Sequence, residues 1–307
     1  MFLKNTLEVL NQVIVLFILM GAGFAAGKFR WIDSSGAKQL STLLFKVVTS
    51  CVIINAFLRV EFSVSKLSQM GIAFACCIVS SAVGAIISRL VFRRKNDPNI
   101  SILRFGTTFS NCGFMSLPLA DMILGSEGVF VVSVFVAAFH MLIWTYGVSL
   151  FGGKNMDLKK VFLNPGTIGV LIGLPLFLLK IKLPSVISMP LSSLAALNTP
   201  VAMIIIGFYL SNIKLKRNDD EGSILLSSAI RLIICPIFMF GLLYTVGIRG
   251  QLLTACMIPV CAPCAGNTSI MAVVFEKDGV FASRLVGICT LFSIITMPLL
   301  LAFSMAV

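Results

Sequence analysis

The chain has 307 residues, of which 58% are hydrophobic and 12% charged, and its mean hydropathy is +1.03. Soluble domains average about 45–50% apolar and about 25% charged residues, so these values exclude an ordinary cytosolic enzyme. Ten stretches reach the length of about 20 mostly apolar residues that a membrane-spanning helix needs. The remaining segments are all shorter than the roughly 50 residues of a small soluble domain. We therefore expect the function to reside within the membrane.

The ten predicted membrane helices fall into two halves. In chain order they cover residues 7–27, 38–58, 67–88, 105–124, 129–150, 161–179, 189–211, 224–246, 252–275 and 280–302. A polar segment that begins at residue 152 separates them into five and five. An odd number of helices per half inverts the second half relative to the first, as in inverted-repeat transporters. The predicted fold is an all-α polytopic membrane protein with repeats 1–152 and 153–307.

The first predicted helix contains a glycine-rich run, Gly21-Ala-Gly23-Phe-Ala-Ala-Gly27. Its spacing is GxGxxxG, whereas a nucleotide-binding loop has GxGxxG after a strand, and no strand precedes this run. We therefore predict that Gly23 and Gly27 allow a neighbouring helix to approach closely.

The distribution of basic residues predicts the orientation. The net charge of +12 would suggest a nucleic-acid partner in a soluble protein, but here the topology accounts for it. Fifteen lysines and arginines lie in loops on one side and six on the other. The positive-inside rule places both termini outside a cell membrane. We expect contact with membrane lipid and no nucleic-acid partner.

The fourth and ninth predicted helices are interrupted near their middles by helix-breaking residues. The runs are Ser110-Asn-Cys-Gly-Phe-Met-Ser-Leu-Pro118 and Pro259-Val-Cys-Ala-Pro263-Cys-Ala-Gly-Asn-Thr268. Glycine and proline interruptions at corresponding places in two halves are the best sequence indication of a transporter's binding site. The alternative is a pair of proline kinks whose freed backbone groups are satisfied by neighbouring helices.

Half-helices at such breaks suit an anionic ligand. A half-helix N-terminus presents N–H groups and about half a positive charge, which favours a carboxylate. Polar side chains beside the breaks add hydrogen-bond donors. The residues predicted to form this substrate site are Asn111, Gly113, Pro118, Pro263, Gly266, Asn267 and Thr268.

Three of the ionisable residues within the predicted helices are candidates for a functional role. His140, the single histidine, either lines the substrate cavity, where it could relay a proton, or is hydrogen-bonded to an adjacent helix. Asp121 either pairs with a cation or proton or is hydrated near the outer interface. Arg231 either attracts anions into an inner vestibule or extends to the headgroups, and we favour the second interpretation. The candidate coupling ions at Asp121 and His140 are H⁺ and Na⁺, and no other cofactor is expected.

The run Asn111-Cys-Gly113 followed by Leu-Pro118-Leu and by Gly125-Ser-Glu-Gly resembles the fourth-helix signature of the auxin efflux carrier family. Further matches extend over the whole length, among them Asn164-Pro-Gly and Ile295-Thr-Met-Pro-Leu. The short central loop is similar to that of compact prokaryotic members, which are often labelled malate or malonate permeases. Two departures, Thr49-Ser where many relatives have Leu-Pro and a cysteine-rich ninth helix, concern the substrate more than the fold.

The resemblance implies that the fourth and ninth helices cross at Pro118 and Pro263. It also implies that helices 1, 2, 6 and 7 form a scaffold, that the other six move, and that two copies form a homodimer through the scaffold. The family's substrate lies at the crossover. That placement assigns substrate contacts to Asn111, Cys112, Asn267 and Thr268, and the position of His140 before a tryptophan resembles that of a polar site residue in plant carriers.

The expected function is a secondary transporter that moves an organic carboxylate such as malate by alternating access. Potential-driven export and symport with H⁺ or Na⁺ both fit the sequence. The alternatives are a ligand-binding membrane receptor or regulatory protein without transport, and a channel. No HExxH, GxSxG or Walker A motif occurs, so an enzyme is not expected.

Overall fold

The computed structural model describes residues 2–93, 97–153, 163–212 and 221–307, with side chains described from residue 10 onward. Apart from one isolated antiparallel bridge, the regular structure of these residues is helical. In chain order the α-helices are α1 (Phe2–Lys28), α2 (Ser34–Leu43), α3 (Thr49–Arg59), α4 (Val64–Val91), α5 (Ile100–Thr108), α6 (Leu117–Leu142), α7 (Val148–Leu150), α8 (Pro165–Leu178), α9 (Ser185–Ala196), α10 (Asn198–Ser211), α11 (Glu221–Ala229), α12 (Cys235–Thr245), α13 (Gly250–Cys261), α14 (Asn267–Val274) and α15 (Gly279–Met305).

Within the described residues, four five-residue π-helical segments join or precede these helices. They are Leu44–Val48 between α2 and α3, Cys112–Ser116 before α6, Ile143–Gly147 between α6 and α7, and Ile230–Ile234 between α11 and α12. A π-helical turn inserts an extra residue into a helix, and such turns occur frequently at functional sites.

The helices have the length and surface of membrane spans. Within the described residues, seven helical segments are long and apolar enough to cross a membrane. Large apolar side chains are exposed on the outside of the bundle, for example Ile18 and Ile295, each 66% exposed. Water-exposed surfaces of this kind are rare in soluble monomers. The chain is therefore a multi-pass helical membrane protein.

The number seven differs from the ten spans predicted from the sequence for two reasons. Predicted helices 4 and 5 merge into one apolar segment, Cys112–Leu150, which is bent where Gly125 has φ 61° and ψ −149°. Two further apolar helices, α8 with 14 residues and α13 with 12 residues, are shorter than a full span. The central polar loop that separates the predicted repeats lies outside the described residues beyond Gly153.

Glycines set the closest helix contacts. A Cβ atom on Gly23 of α1 would lie 2.6 Å from the Ile204 Cα of α10, and one on Gly207 would lie 2.8 Å from the Phe24 nitrogen. α3 also packs against glycines of α8, where a Cβ on Gly169 would meet the side chain of Ile53 rather than backbone. The prediction of close helix packing at Gly23 is confirmed, and this run lies within a continuous helix rather than in a nucleotide-binding loop.

Candidate functional site

The two interrupted helices meet at their breaks. The Asn111 N–H donates to the Pro263 carbonyl at 2.7 Å, and the Ala265 N–H donates to the Phe109 carbonyl at 2.9 Å. These bonds place Ser110 opposite Cys264 in the isolated antiparallel bridge. Backbone groups freed by unwinding inside a membrane need partners, and here the two breaks supply partners to each other. The two breaks found in the sequence therefore form one structure, which we call the crossover.

Both interrupted segments of the chain resume a helix immediately after the crossover. The first does so in the π-helical segment Cys112–Ser116 and then in α6, whose first turn contains Pro118. A proline is tolerated at that position because the N–H groups of a first turn have no intrahelical partner. The second re-enters at Asn267, the first residue of α14. Two helix N-termini therefore lie next to each other at the crossover.

A small cavity of about 20 Å³ lies beside these two starts, and we call it the crossover cavity. A site needs roughly 10–15 Å³ of such space to hold one water molecule. The cavity is therefore nearly closed in this conformation. Its lining comes from the two breaks and the helical segments that follow them, from the π-helical segment Leu44–Val48 with the first residue of α3, and from the end of α6. These residues are Phe45, Thr49, Ser110, Asn111, Gly113, Phe114, Phe139, His140, Ala265, Gly266 and Asn267.

Five of the residues predicted for the substrate site line the crossover cavity: Asn111, Gly113, His140, Gly266 and Asn267. The other predicted residues are close in sequence but not on its wall. Cys112 and Thr268 are fully buried. Pro263 contributes its carbonyl to the bond with Asn111, and Pro118 lies in the first turn of α6.

His140 is buried among aromatic rings. It is 4% exposed, and its ring centroid lies 5.2 Å from that of Phe45 and 5.4 Å from that of Phe139. Its side chain also lies on the wall of the crossover cavity, and its role there stays a prediction.

Asp121 is separate from the crossover cavity. It is exposed and lines a larger cavity of about 130 Å³, together with Arg59 from the end of α3. The structure therefore does not bring Asp121 to the crossover, and its role in ion coupling stays a prediction.

Arg231 corrects a prediction made from the sequence. Its side chain does not extend to the headgroups but is 2% exposed, within the π-helical segment Ile230–Ile234. It donates to the Thr108 carbonyl at 3.2 Å and to the Val260 carbonyl at short distance. Thr108 ends α5 and Val260 lies in the last turn of α13, so the cation binds the C-terminal ends of both helices that lead into the crossover. Cations stabilise helix C-termini, and a guanidinium has donors for two carbonyls.

A membrane-embedded helical bundle with two interrupted helices that bond at their breaks is an arrangement found in many membrane transporters. Comparison with known proteins agrees with this class. The family model described as "Membrane transport protein" matches residues 8–161 and 154–301. The chain therefore belongs to the auxin efflux carrier family of membrane transport proteins, as its motifs predicted, and this family consists of transporters rather than enzymes. An uncharacterized transporter of Methanothermobacter thermautotrophicus is 23% identical over 312 residues, which cover 97% of this chain and 98% of the relative.

Proposed function

We propose that this protein moves an organic carboxylate anion across the cell membrane by alternating access at the crossover. The observation that carries the proposal is the pair of reciprocal backbone bonds, Asn111 to Pro263 and Ala265 to Phe109, at 2.7 and 2.9 Å. They bring two helix N-termini to one cavity, and N-termini attract anions through their free N–H groups and the helix dipole.

The polar groups around the crossover cavity favour a negative charge. The amides of Asn111 and Asn267 line it, and the buried guanidinium of Arg231 lies behind it on the preceding helix ends. Among the described residues, the lining contains no aspartate or glutamate. A carboxylate would therefore meet donors and partial positive charge without an opposing anion.

The size of the crossover cavity supports a mechanism with moving helices. One water molecule needs roughly 10–15 Å³ of such space, and a carboxylate such as malate is several times larger than a water molecule. The observed space of about 20 Å³ therefore holds no such substrate. Substrate entry requires the crossover helices to separate from the α2–α3 segment that covers them.

Helix packing supports ten spans in two inverted repeats. If residues 153–307 repeat residues 1–152 upside down, the contact of span 1 with span 7 should have its counterpart between spans 6 and 2. α1 packs on α10 through Gly23, and α3 packs on α8, where a Cβ on Gly169 would lie 2.8 Å from the Ile53 Cβ. In this proposal these four spans form the scaffold and the homodimer contact, both termini lie outside, and the remaining spans move.

Coupling to an ion depends on His140 and Asp121 in this proposal. His140 lines the crossover cavity, whereas Asp121 lines the exposed cavity near Arg59, so a coupled mechanism would use two separate positions. If transport is proton-coupled through them, the pair of substitutions His140→Gln and Asp121→Asn should flatten its pH dependence. An unchanged pH dependence would instead exclude coupling through either residue and favour potential-driven transport.

The deciding experiment is uptake of radiolabelled malate into proteoliposomes under an imposed membrane potential. Wild-type protein is compared with Asn267→Ala and with Asn212→Ala, which removes the same side chain at the end of α10. We expect saturable uptake and counterflow in wild type and in Asn212→Ala, and loss of uptake in Asn267→Ala. Binding without counterflow would favour a receptor. Uptake at the background level in all three proteins would exclude malate as the substrate. Pyruvate and indoleacetate would then be tested in the same way.

A further inference from the structure

The exposed cavity that contains Asp121 has the features of a ligand site. It lies between α3, α6 and the junction of α9 with α10, and its volume of about 130 Å³ is several times that of the crossover cavity. Its charged residues, Arg59 and Asp121, are exposed, whereas Val52 and Leu117 on its inner wall are buried. The cavity is therefore an inward-leading pocket with charge at its mouth, and we call it the Arg59 cavity.

Arg59 has charge available for a ligand. Its Nη2 donates to the Ser192 hydroxyl at 3.0 Å, and no described carboxylate lies within 4.0 Å of the guanidinium. The fork of a guanidinium binds a carboxylate through two parallel hydrogen bonds, of which the serine occupies one donor only.

A second polar group in the Arg59 cavity lacks a partner. Asn198, the first residue of α10, lines the cavity and is 4% exposed, and its side-chain oxygen makes no hydrogen bond to the described residues. Buried amides are normally hydrogen-bonded because an unsatisfied one costs free energy. An occupant of the cavity with a hydroxyl or amine group would satisfy it.

The Arg59 cavity and the crossover cavity lie along one face of the same helix. Thr49 lines the crossover cavity, and Val52, Ala56 and Arg59 line the Arg59 cavity. Their spacing of three or four residues places them on one side of α3. Ten residues of α-helix span about 15 Å, so a molecule that follows this face travels about that distance from Arg59 to the crossover.

We propose that the Arg59 cavity is a second substrate site, where a carboxylate pairs with Arg59 before it moves along α3 to the crossover. This proposal rests on the function proposed for the crossover. The amide of Asn55, which also lines the cavity, and the oxygen of Asn198 bind the remainder of the molecule. Asp121 stands at the mouth and disfavours a second negative charge, so the preferred occupant carries its charge at one end.

The test uses the whole protein in right-side-out and in inverted membrane vesicles, which present its opposite faces to labelled pyruvate, malate or indoleacetate. The variants are Arg59→Gln, Arg59→Lys and the control Lys66→Gln, which removes a cation that pairs with Glu127. We expect Arg59→Gln to raise KM about tenfold in one vesicle type and to leave KM in the other within about twofold. Arg59→Lys should fall between, and Lys66→Gln should behave as wild type.

A purely structural role of Arg59 predicts a different result, because a distorted protein transports poorly in both directions. An equal effect in both vesicle types, or no effect in either, would overturn the second site. Equilibrium binding of the same three acids to purified protein separates the two proposals. If binding depends on Arg59 and persists in Asn267→Ala, but no counterflow is measured, the proposal of transport alone is overturned. Wild-type counterflow with Arg59→Gln unchanged would overturn the second site alone, and absence of binding and transport for all three acids would overturn both.

Discussion

The guanidinium of Arg231 donates to the carbonyl of Thr108 at 3.2 Å, across 123 positions of sequence. The same side chain donates to the Val260 carbonyl, from the other helix that leads into the crossover. One buried cation therefore binds carbonyls at the C-terminal ends of two helices, where the carbonyls have no N–H partner within their own helix. In a membrane interior, carbonyls of this kind have no water to replace a lost donor.

Arg231→Met should destabilise the protein more than Arg231→Lys. Methionine leaves both carbonyls without a donor, and hydrogen bonds to charged groups contribute about 1.5–3 kcal/mol each. Lysine keeps the charge but lacks the fork, so it should retain part of the stabilisation. Thermal unfolding in detergent measures both. Arg284→Met is the control, because Arg284 is also buried but pairs at 3.6 Å with Glu221, which is half-exposed. An equal melting temperature for Arg231→Met and wild type would contradict the prediction.

The contact of α1 with α10 should depend on the absence of a side chain at Gly23. A Cβ there would lie 2.6 Å from the Ile204 Cα, and backbone atoms cannot rotate away as a side chain can. Overpacking of this kind costs about 1–3 kcal/mol, so Gly23→Ala should lower the melting temperature.

Gly21→Ala is the matched control on the same helix, because a Cβ at Gly21 meets no atom within 4 Å. The alanine should leave the melting temperature near the wild-type value. If the two variants unfolded alike, close backbone contact at Gly23 would not limit stability.

The sequence predicts the crossover well because its determinants are local. Proline and glycine interrupt a helix wherever they occur, and two interruptions in matching positions indicated that Asn111 and Pro263 belong to one site. Glycine spacing within one helix likewise predicted the close contact at Gly23. These inferences use only backbone chemistry and helical periodicity.

The rest of the site depends on which helices become neighbours. The position of Arg231 in its helix shows the face on which it lies but not which carbonyls of other helices contact that face. The general tendency of arginine to extend to the headgroups therefore gave the wrong prediction. The Arg59 cavity was missed for the same reason, because Arg59 and Asn198 come from different halves of the chain. The π-helical turns have no residue signature that periodicity detects.

The bend within α6 should require Gly125. Its φ of 61° and ψ of −149° lie in a region that residues with a Cβ rarely adopt, and such backbone strain costs on the order of 1–3 kcal/mol. Gly125→Ala should therefore lower the melting temperature even though a Cβ there meets no atom within 4 Å. Gly241→Ala, with equal space within α12 and no positive φ, is the control and should be neutral or slightly stabilising. Equal effects of the two alanines would show that α6 tolerates a straight helix at this point.

Gly166 should control how far His140 enters the crossover cavity. Gly166 lies in the first turn of α8, and a Cβ there would be 2.8 Å from the His140 Cδ2, closer than real contacts allow. Gly166→Ala therefore displaces the imidazole on the wall of the crossover cavity and should raise the KM for uptake. Gly71→Ala, which has open space in α4, should leave KM unchanged. In a His140→Ala background the ring is gone, so adding Gly166→Ala should have little further effect. If the Gly166→Ala effect were the same with and without the histidine, it would act through the α8 backbone and not through His140.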